Sequence, residues 1–350
     1  MEAEEGDGMT VTTYQGDCLQ IMKDLPDKSV DLVIMDPPYY RIMVEDYARQ
    51  KYDWDTQWDS IGDYEDWILR VFQEVKRLCT PTASIYCFAD DIVSAHVQIQ
   101  FEKCFNILNN IIWYKPNNMT IKGWSGYRKY VPVTERILFG EMERAPGMPA
   151  TGLEMIHSDP QCFEPIRSYF VKGKQKCMEE HGWNTEQFNE WINGITGTRS
   201  VASRHYFAVS QYTFPTKEIY EKMRATGYWT AQYEELRQQY EELRRPFRAT
   251  KLMTDIWTFP ICSPSEDRIH PTQKPKDLIA RILSTSTRGG EPATVLDPFM
   301  GSGVVGCECM KLNLDYIGIE QDSDMKNRAD SRIFSTERMV KVRTRLEDFS

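Results

Sequence analysis

The chain has 350 residues, enough to bury a full core as one large domain or two smaller ones. Hydrophobic residues at 41% and charged residues at 27% predict a soluble globular protein, and no run of about 18 apolar residues predicts a membrane span. The formal net charge of −10 argues mildly against a nucleic-acid partner, and nine cysteines, an odd number without a CxxC pair, argue against a disulfide framework or a zinc site.

The acidic start MEAEEGDGMT lacks the apolar segment of a signal peptide, so a reducing, cytoplasmic setting with no membrane and no metal is expected. In DCLQIMKDL, Leu19, Met22 and Leu25 share one helical face, and SVDLVIM then reads as a buried strand. That strand runs into IMDPPYY. Prolines donate no ladder hydrogen bond and fix φ, so the chain must leave the sheet at Asp36, with a carboxylate and aromatic rings at a strand end. In DYEDWILRVFQEVKRLC, Ile68, Val71, Phe72, Val75 and Leu78 recur at helical spacing, with Asp63 as the expected cap. SIYCF, ILNNIIWY and RILF read as strands, and the alternation predicts an α/β sheet with mainly parallel strands.

Between ILNNIIWY and RILF lies YKPNNMTIKGWSGYRKYVPVTERIL, with five basic residues against one acid. Trp113, Tyr114, Trp124, Tyr127 and Tyr130 interleave with these cations. A solvated loop is the plain reading. Rings that stack on bases, beside cations that meet phosphates, offer a nucleic-acid reading through Lys115, Lys122, Arg128 and Lys129.

After Gly140 the pattern changes, and from Pro165 to Phe247 the chain reads almost wholly helical. NTEQFNEWING has an Asn/Thr start and a stop at Gly194; RSVASRHYF, a second short helix, follows. The pair fits a plain helical hairpin or a helix-turn-helix, whose second helix would carry Arg199, Arg204 and His205. The α/β alternation returns with PKDLIARILSTST (helix), ATVLD (strand), SGVVGCECMKL (helix) and YIGIE (strand).

GSGVVG, from Gly301 to Gly306, follows a strand and opens a helix, as in a dinucleotide-binding loop. A carboxylate at Asp297, just before that turn, would repel a pyrophosphate but attract a cationic ligand. Too little chain follows for a dinucleotide fold, so the N-terminal segments must complete the sheet. That would bring Asp36 to the same carboxyl edge as the glycine loop.

DPPY at Asp36–Tyr39, VLDPFMGSG at Val295–Gly303 and HPTQKP at His270–Pro275 together resemble the amino-methylating DNA methyltransferases that use S-adenosylmethionine. Their order, catalytic tetrapeptide first and glycine loop last, resembles the permuted β group. The resemblance implies a Rossmann-like class I methyltransferase sheet with helices on both faces and an inserted, mainly helical target-recognition region. It divides the chain into a catalytic half (10–140), an insertion (141–250) and a cofactor-binding half (251–335). Val304 and Val305 depart from the pattern, standing where the family usually has threonines.

By this resemblance Asp297, Phe299, Gly301, Ser302 and Gly303 hold the methionine part of the cofactor, and Glu320 binds the ribose hydroxyls. Asp17 lies at the adenine moiety, while Thr272 and Lys274 close over the methionine carboxylate. For Asp17 an ordinary helix cap is the competing reading, and for Lys274 a solvated lysine. Asp36, Pro37, Pro38 and Tyr39 form the catalytic turn, in which carboxylate and proline carbonyl accept both hydrogens of an exocyclic amine. Tyr39 stacks on a base flipped out of double-stranded DNA. The aspartate start favours adenine N6 over cytosine N4. A helix-turn-helix regulator with an inactive core is the alternative from another class, and a homodimer is left open.

Overall fold

The computed structural model describes residues 9–40, 57–116, 130–142, 163–208, 212–243, 245–248, 253–262, 268–270 and 272–347, with side chains as far as Thr336. The chain forms two compact units, one from Met1–Met142 with Pro246–Ser350 and one from Glu143–Arg245.

The first unit is built on an eight-stranded sheet: β1 (Val11–Gln15), β2 (Val30–Met35), β3 (Cys79–Ala89), β4 (Phe105–Tyr114), β5 (Thr134–Met142), β6 (Ile256–Thr258), β7 (Thr294–Asp297) and β8 (Asp315–Glu320). Their spatial order is β1-β8-β7-β2-β3-β5-β4-β6. Every neighbouring pair is parallel except those made by β5, which runs antiparallel to both β3 and β4. The N-terminal strand β2 pairs with the C-terminal strand β7, Leu32 opposite Val295 and Val33 opposite Leu296. The two ends of the sequence therefore complete one sheet.

Period-two alternation divides the core into two layers. Val33 and Met35 of β2, with Ile85 and Cys87 of β3, face α1 (Cys18–Lys23), α2 (Ile61–Leu78) and α3 (Ser94–Glu102). Leu32 and Ile34, with Tyr86 and Phe88, face α9 (Lys276–Ser286), α10 (Val304–Leu312) and α11 (Ser323–Glu347). A sheet buried on both faces explains the nearly continuous apolar run DLVIM. Val304 and Val305 belong to the second layer, where apolar side chains add to the core.

The cap of α2 differs from the expected one. Ser60, not Asp63, is the N-cap, and Asp63 completes a capping box by accepting from the Ser60 backbone N–H at 2.9 Å.

The second unit contains α4 (Ile166–His181), α5 (Thr185–Thr196), α6 (Val201–His205), α7 (Lys217–Arg224) and α8 (Tyr233–Leu243) around an aromatic core that includes Phe170, Tyr220 and Trp229. A side chain at Gly173 would overlap the Trp229 indole, so only glycine lets α4 approach that ring. Helix α5 runs through Gly194 and stops at Gly197, which takes the left-handed conformation at φ 70°. The second element of the expected helix-turn-helix, α6, has only five residues, and Arg199 lies in the turn before it.

Candidate active site

Strand β2 ends at Met35 and delivers Asp36 to the carboxyl edge of the sheet. The turn that follows is fixed from below, because the Tyr64 hydroxyl of α2 donates to the Pro38 carbonyl at 2.9 Å. Among the described residues nothing donates to the Pro37 carbonyl. Asp36 Oδ1 accepts from the Tyr39 hydroxyl at 2.7 Å and pairs with Lys274 Nζ at 2.8 Å.

Lys274 is almost wholly enclosed, with 6% of its side chain exposed. Its amine donates to the Tyr39 hydroxyl at 3.1 Å and lies 3.5 Å from Glu135 Oε2. Glu135, on β5, also pairs with Lys115 at 2.9 Å and accepts from the Tyr39 hydroxyl at 3.3 Å. Two carboxylates, two ammonium groups and a phenol thus form one closed cluster.

Burial raises the Asp36 pKa, Lys274 opposes that rise, and Glu135 adds to it; the net direction is upward. Burial would also raise Glu135, but Lys274 and Lys115 outweigh it and hold Glu135 below the usual carboxylate range. Burial would lower Lys274, but Asp36 and Glu135 raise it instead.

Two of the expected site cations have partners in this cluster. Lys274, assigned to the methionine carboxylate, places its amine on Asp36. Lys115, assigned to DNA, is buried against Glu135 and lies 5.4 Å from the Trp113 ring centroid, so it is not a surface cation. Glu135 was not anticipated; the signal available was an acid at the start of a strand whose centre, ILF, is apolar.

The glycine loop forms the other end of the site. Gly301 has φ 49° and Gly303 has φ 70°, values that disfavour any side chain. A Cβ on Gly303 would also press to 3.0 Å from the Ala329 side chain. Gly303 caps α10, and the Ser302 carbonyl accepts from the Arg332 guanidinium at 3.2 Å. Glu320, at the end of β8, accepts from the Gly301 N–H at 2.8 Å and from the Asp322 N–H at 2.9 Å. Burial raises its pKa. The Phe299 ring packs 5.8 Å from that of Trp67.

Asp297 is 3% exposed and accepts from the Phe299 N–H at 3.2 Å and the Tyr316 hydroxyl at 3.3 Å. No cation pairs with it among the described residues. Burial, reinforced by Asp36 and only partly opposed by the Phe299 N–H, pushes its pKa up to about 8.

Asp17 caps α1, its side chain accepting from the Gln20 N–H at 3.0 Å, so the helix-cap reading describes what its carboxylate does. The Thr272 hydroxyl lies 3.0 Å from His270 Nδ1, and His270, half-buried and beside Lys274, is pushed down by desolvation to about 4 and stays neutral near pH 7. The catalytic turn, Asp17, Thr272, Lys274, the loop from Asp297 to Ser302 and Glu320 all line one cleft of about 1200 Å³, whereas Gly303 does not. Arg199 and Arg204 are exposed in the helical unit, and His205 is half-buried. Lys122, Arg128 and Lys129 lie outside the described residues.

A family model described as DNA methylase, covering N6 and N4 methyltransferases, matches residues 30–331. The chain is 22% identical over 339 residues to the Type II methyltransferase M.HinfI of Haemophilus influenzae, which covers 92% of this chain and 68% of that protein. It is 24% identical over 330 residues to the Type II methyltransferase M2.MboI of Moraxella bovis, covering 91% of this chain and 85% of that one. Among solved structures, a PvuII DNA methyltransferase, cytosine-N4-specific, shares the fold at a TM-score of 0.51 and 11% identity, covering 95% of this chain and 93% of that one.

Proposed function

The chain belongs to the family of N6/N4 DNA methylases, and from that premise we propose that it methylates the N6 amine of adenine in double-stranded DNA, with S-adenosylmethionine as donor. Support for adenine comes from the aspartate that opens Asp36–Tyr39. The two similar Type II methyltransferases support a restriction–modification setting.

The residues fit such a cofactor. Asp297 is a buried carboxylate held protonated for want of a cation, and an ammonium or sulfonium nearby would let it ionise. Glu320 and the side-chain-free Gly301 leave room for a ribose and a methionine chain in the same cleft. When bound, S-adenosylmethionine supplies a methyl group already activated by its sulfonium.

The chain's own task is to prepare the amine. An exocyclic amine is a weak nucleophile because its lone pair is delocalised into the base. Asp36 and the uncommitted Pro37 carbonyl accept its two hydrogens and draw the nitrogen toward tetrahedral geometry. A base inside a duplex is out of reach, so it must be flipped into the cleft, where the Tyr39 ring stacks on its face. Orientation and fixed charge then supply most of the rate. The helical unit is the target-reading part in this proposal, with Arg199 and Arg204 as its exposed cations.

The single observation that carries the reading is that Asp36, beside an open carbonyl, and the Asp297–Ser302 loop share one cleft. The test is transfer of labelled methyl to random-sequence duplex DNA, followed by identification of the modified nucleoside. N6-methyladenine is expected. N4-methylcytosine would overturn the choice of base, and no transfer would overturn the whole reading.

A further inference from the structure

The cluster around Asp36 contains more than the methyl-transfer reading uses. Among the described residues both partners of the carboxylate, Lys274 and Tyr39, meet the same oxygen, Oδ1, and none meets Oδ2. The lysine amine is itself held between two anions, at 2.8 Å from Asp36 and 3.5 Å from Glu135. The Tyr39 hydroxyl repeats that pattern, its oxygen 2.7 Å from Asp36 Oδ1 and 3.3 Å from Glu135 Oε2, with one proton to give between them.

A lysine paired to Asp36 alone would neutralise the carboxylate that must accept the target amine. A bare Asp36 in this enclosed place would instead take up a proton and lose its acceptor oxygen. We infer that Lys274 and Glu135 are a positioning pair for Asp36: Lys274 holds Oδ1 and turns Oδ2 toward the target amine, while Glu135 draws off part of the lysine's charge so that the carboxylate stays a strong acceptor. The inference rests on the proposed function, since it presumes that Asp36 receives an amine.

The groups that face Asp36 come from every neighbouring element. Lys274 comes from the segment before α9, Tyr39 from its own turn, and Glu135 from β5, with Lys115 behind it. Cys87 of β3 and Asp297 of β7 also interact with Asp36. Asp90, beyond β3, interacts with Glu135. Cys87 stays a neutral thiol because burial pushes its pKa well up, so the charge balance at Asp36 is set mainly by Lys274 and Glu135.

Opposite signs follow for the two partners. Removing the cation makes Asp36 easier to protonate; removing the second anion makes it harder. The experiment is the pH profile of single-turnover methyl transfer from labelled S-adenosylmethionine to random-sequence duplex DNA, for wild type, Lys274→Met and Glu135→Gln. Cofactor affinity is measured by calorimetry alongside.

In Lys274→Met the acid limb moves to higher pH, so at a pH where wild type is on its plateau the variant is about tenfold or more below its own. In Glu135→Gln the limb moves to lower pH while the plateau falls, by up to about a hundredfold. Cofactor affinity stays within a few-fold in both, and Lys274→Arg returns the limb toward its wild-type position.

Limbs moving in the same direction, or profiles unmoved while Lys274→Met loses cofactor affinity, would overturn the inference and return Lys274 to the cofactor. Should Lys274→Met fail to fold, Lys274→Arg and Glu135→Gln decide the question: a wild-type profile in Glu135→Gln overturns it. Wild-type protein that transfers no methyl to DNA would sink the proposed function itself, an outcome distinct from either.

Discussion

On the proposed function, Asp297 should make cofactor binding pH-dependent in a way that its burial lets one work out. Its pKa is pushed up to about 8, so at pH 7 roughly nine tenths of the ligand-free protein carries a proton there. A cationic ligand needs the anion, and forming it at pH 7 costs about 1.4 kcal/mol, one decade below the pKa. Affinity for S-adenosylmethionine should therefore rise about tenfold between pH 6 and pH 7, a range in which the ligand's own α-amine stays charged. Binding at pH 7 should release close to one proton, seen as a dependence of calorimetric heat on the buffer's ionisation enthalpy. Asp297→Asn should bind more weakly and lose both the slope and the proton release. The ligand-free protein supplies an independent check on the sign. An acid whose folded pKa exceeds its unfolded value stabilises fully below the unfolded value, and that stability is lost as pH rises through the folded one. His270, lowered to about 4, acts oppositely, its contribution being lost as pH falls below about 6.5. Between about pH 6.5 and 8 the wild type should thus lose thermal stability relative to Asp297→Asn. A pH-independent affinity with no proton released would refute the reasoning, and with it the place of a cation beside Asp297.

Glu320→Ala strands the Gly301 and Asp322 amides and removes the proposed ribose partner, so calorimetry should show cofactor binding weaker by about 1–3 kcal/mol with DNA affinity unchanged. Tyr39→Phe loses the hydroxyl that donates to Asp36 and should slow single-turnover transfer about tenfold. Tyr39→Ala also loses the stacking ring and should fall about tenfold further; equal losses would mean the ring does not stack. Arg199→Ala or Arg204→Ala should weaken DNA binding in a filter or anisotropy assay and leave cofactor binding intact. A phosphate contact would flatten the salt dependence, whereas a base contact would change the sequence preference in a random library.

The parts of the site that the sequence disclosed are those in which one short segment states its own constraint. Pro37 and Pro38 end a strand by their covalent structure, and Gly301 and Gly303 mark backbone that other residues avoid. That N-terminal segments complete the sheet followed from chain economy, because the glycine loop alone had too little sheet around it; the pairing of β2 with β7 is how they do so. What stayed hidden depends on partners far along the chain. Glu135 read as an unremarkable charge, and Lys274 as a cofactor or solvated lysine, until the sheet brings β5 beside β3 and the Lys274 segment onto Asp36. The direction of β5 was likewise hidden, since RILF has the same apolar pattern whether it runs parallel or antiparallel. Helix ends were legible only in kind: a serine three residues before Asp63 displaced it as the cap, and Gly197 replaced Gly194 as the stop.

Lys115 shows how such hidden pairing alters a functional argument without reversing it. The segment Tyr114–Leu138, with five basic residues against one acid, offered a nucleic-acid reading beside that of a solvated loop. Burying Lys115 against Glu135 removes one charge of each sign. Four basic residues and no acid remain, so the net charge that attracts phosphate is unchanged. The buried pair serves Asp36 instead, and any hold on DNA by this segment falls to Lys122, Arg128, Lys129 and Arg136. A chain of net charge −10 can thus keep a cationic segment close in sequence to its catalytic cluster while presenting an acidic surface elsewhere.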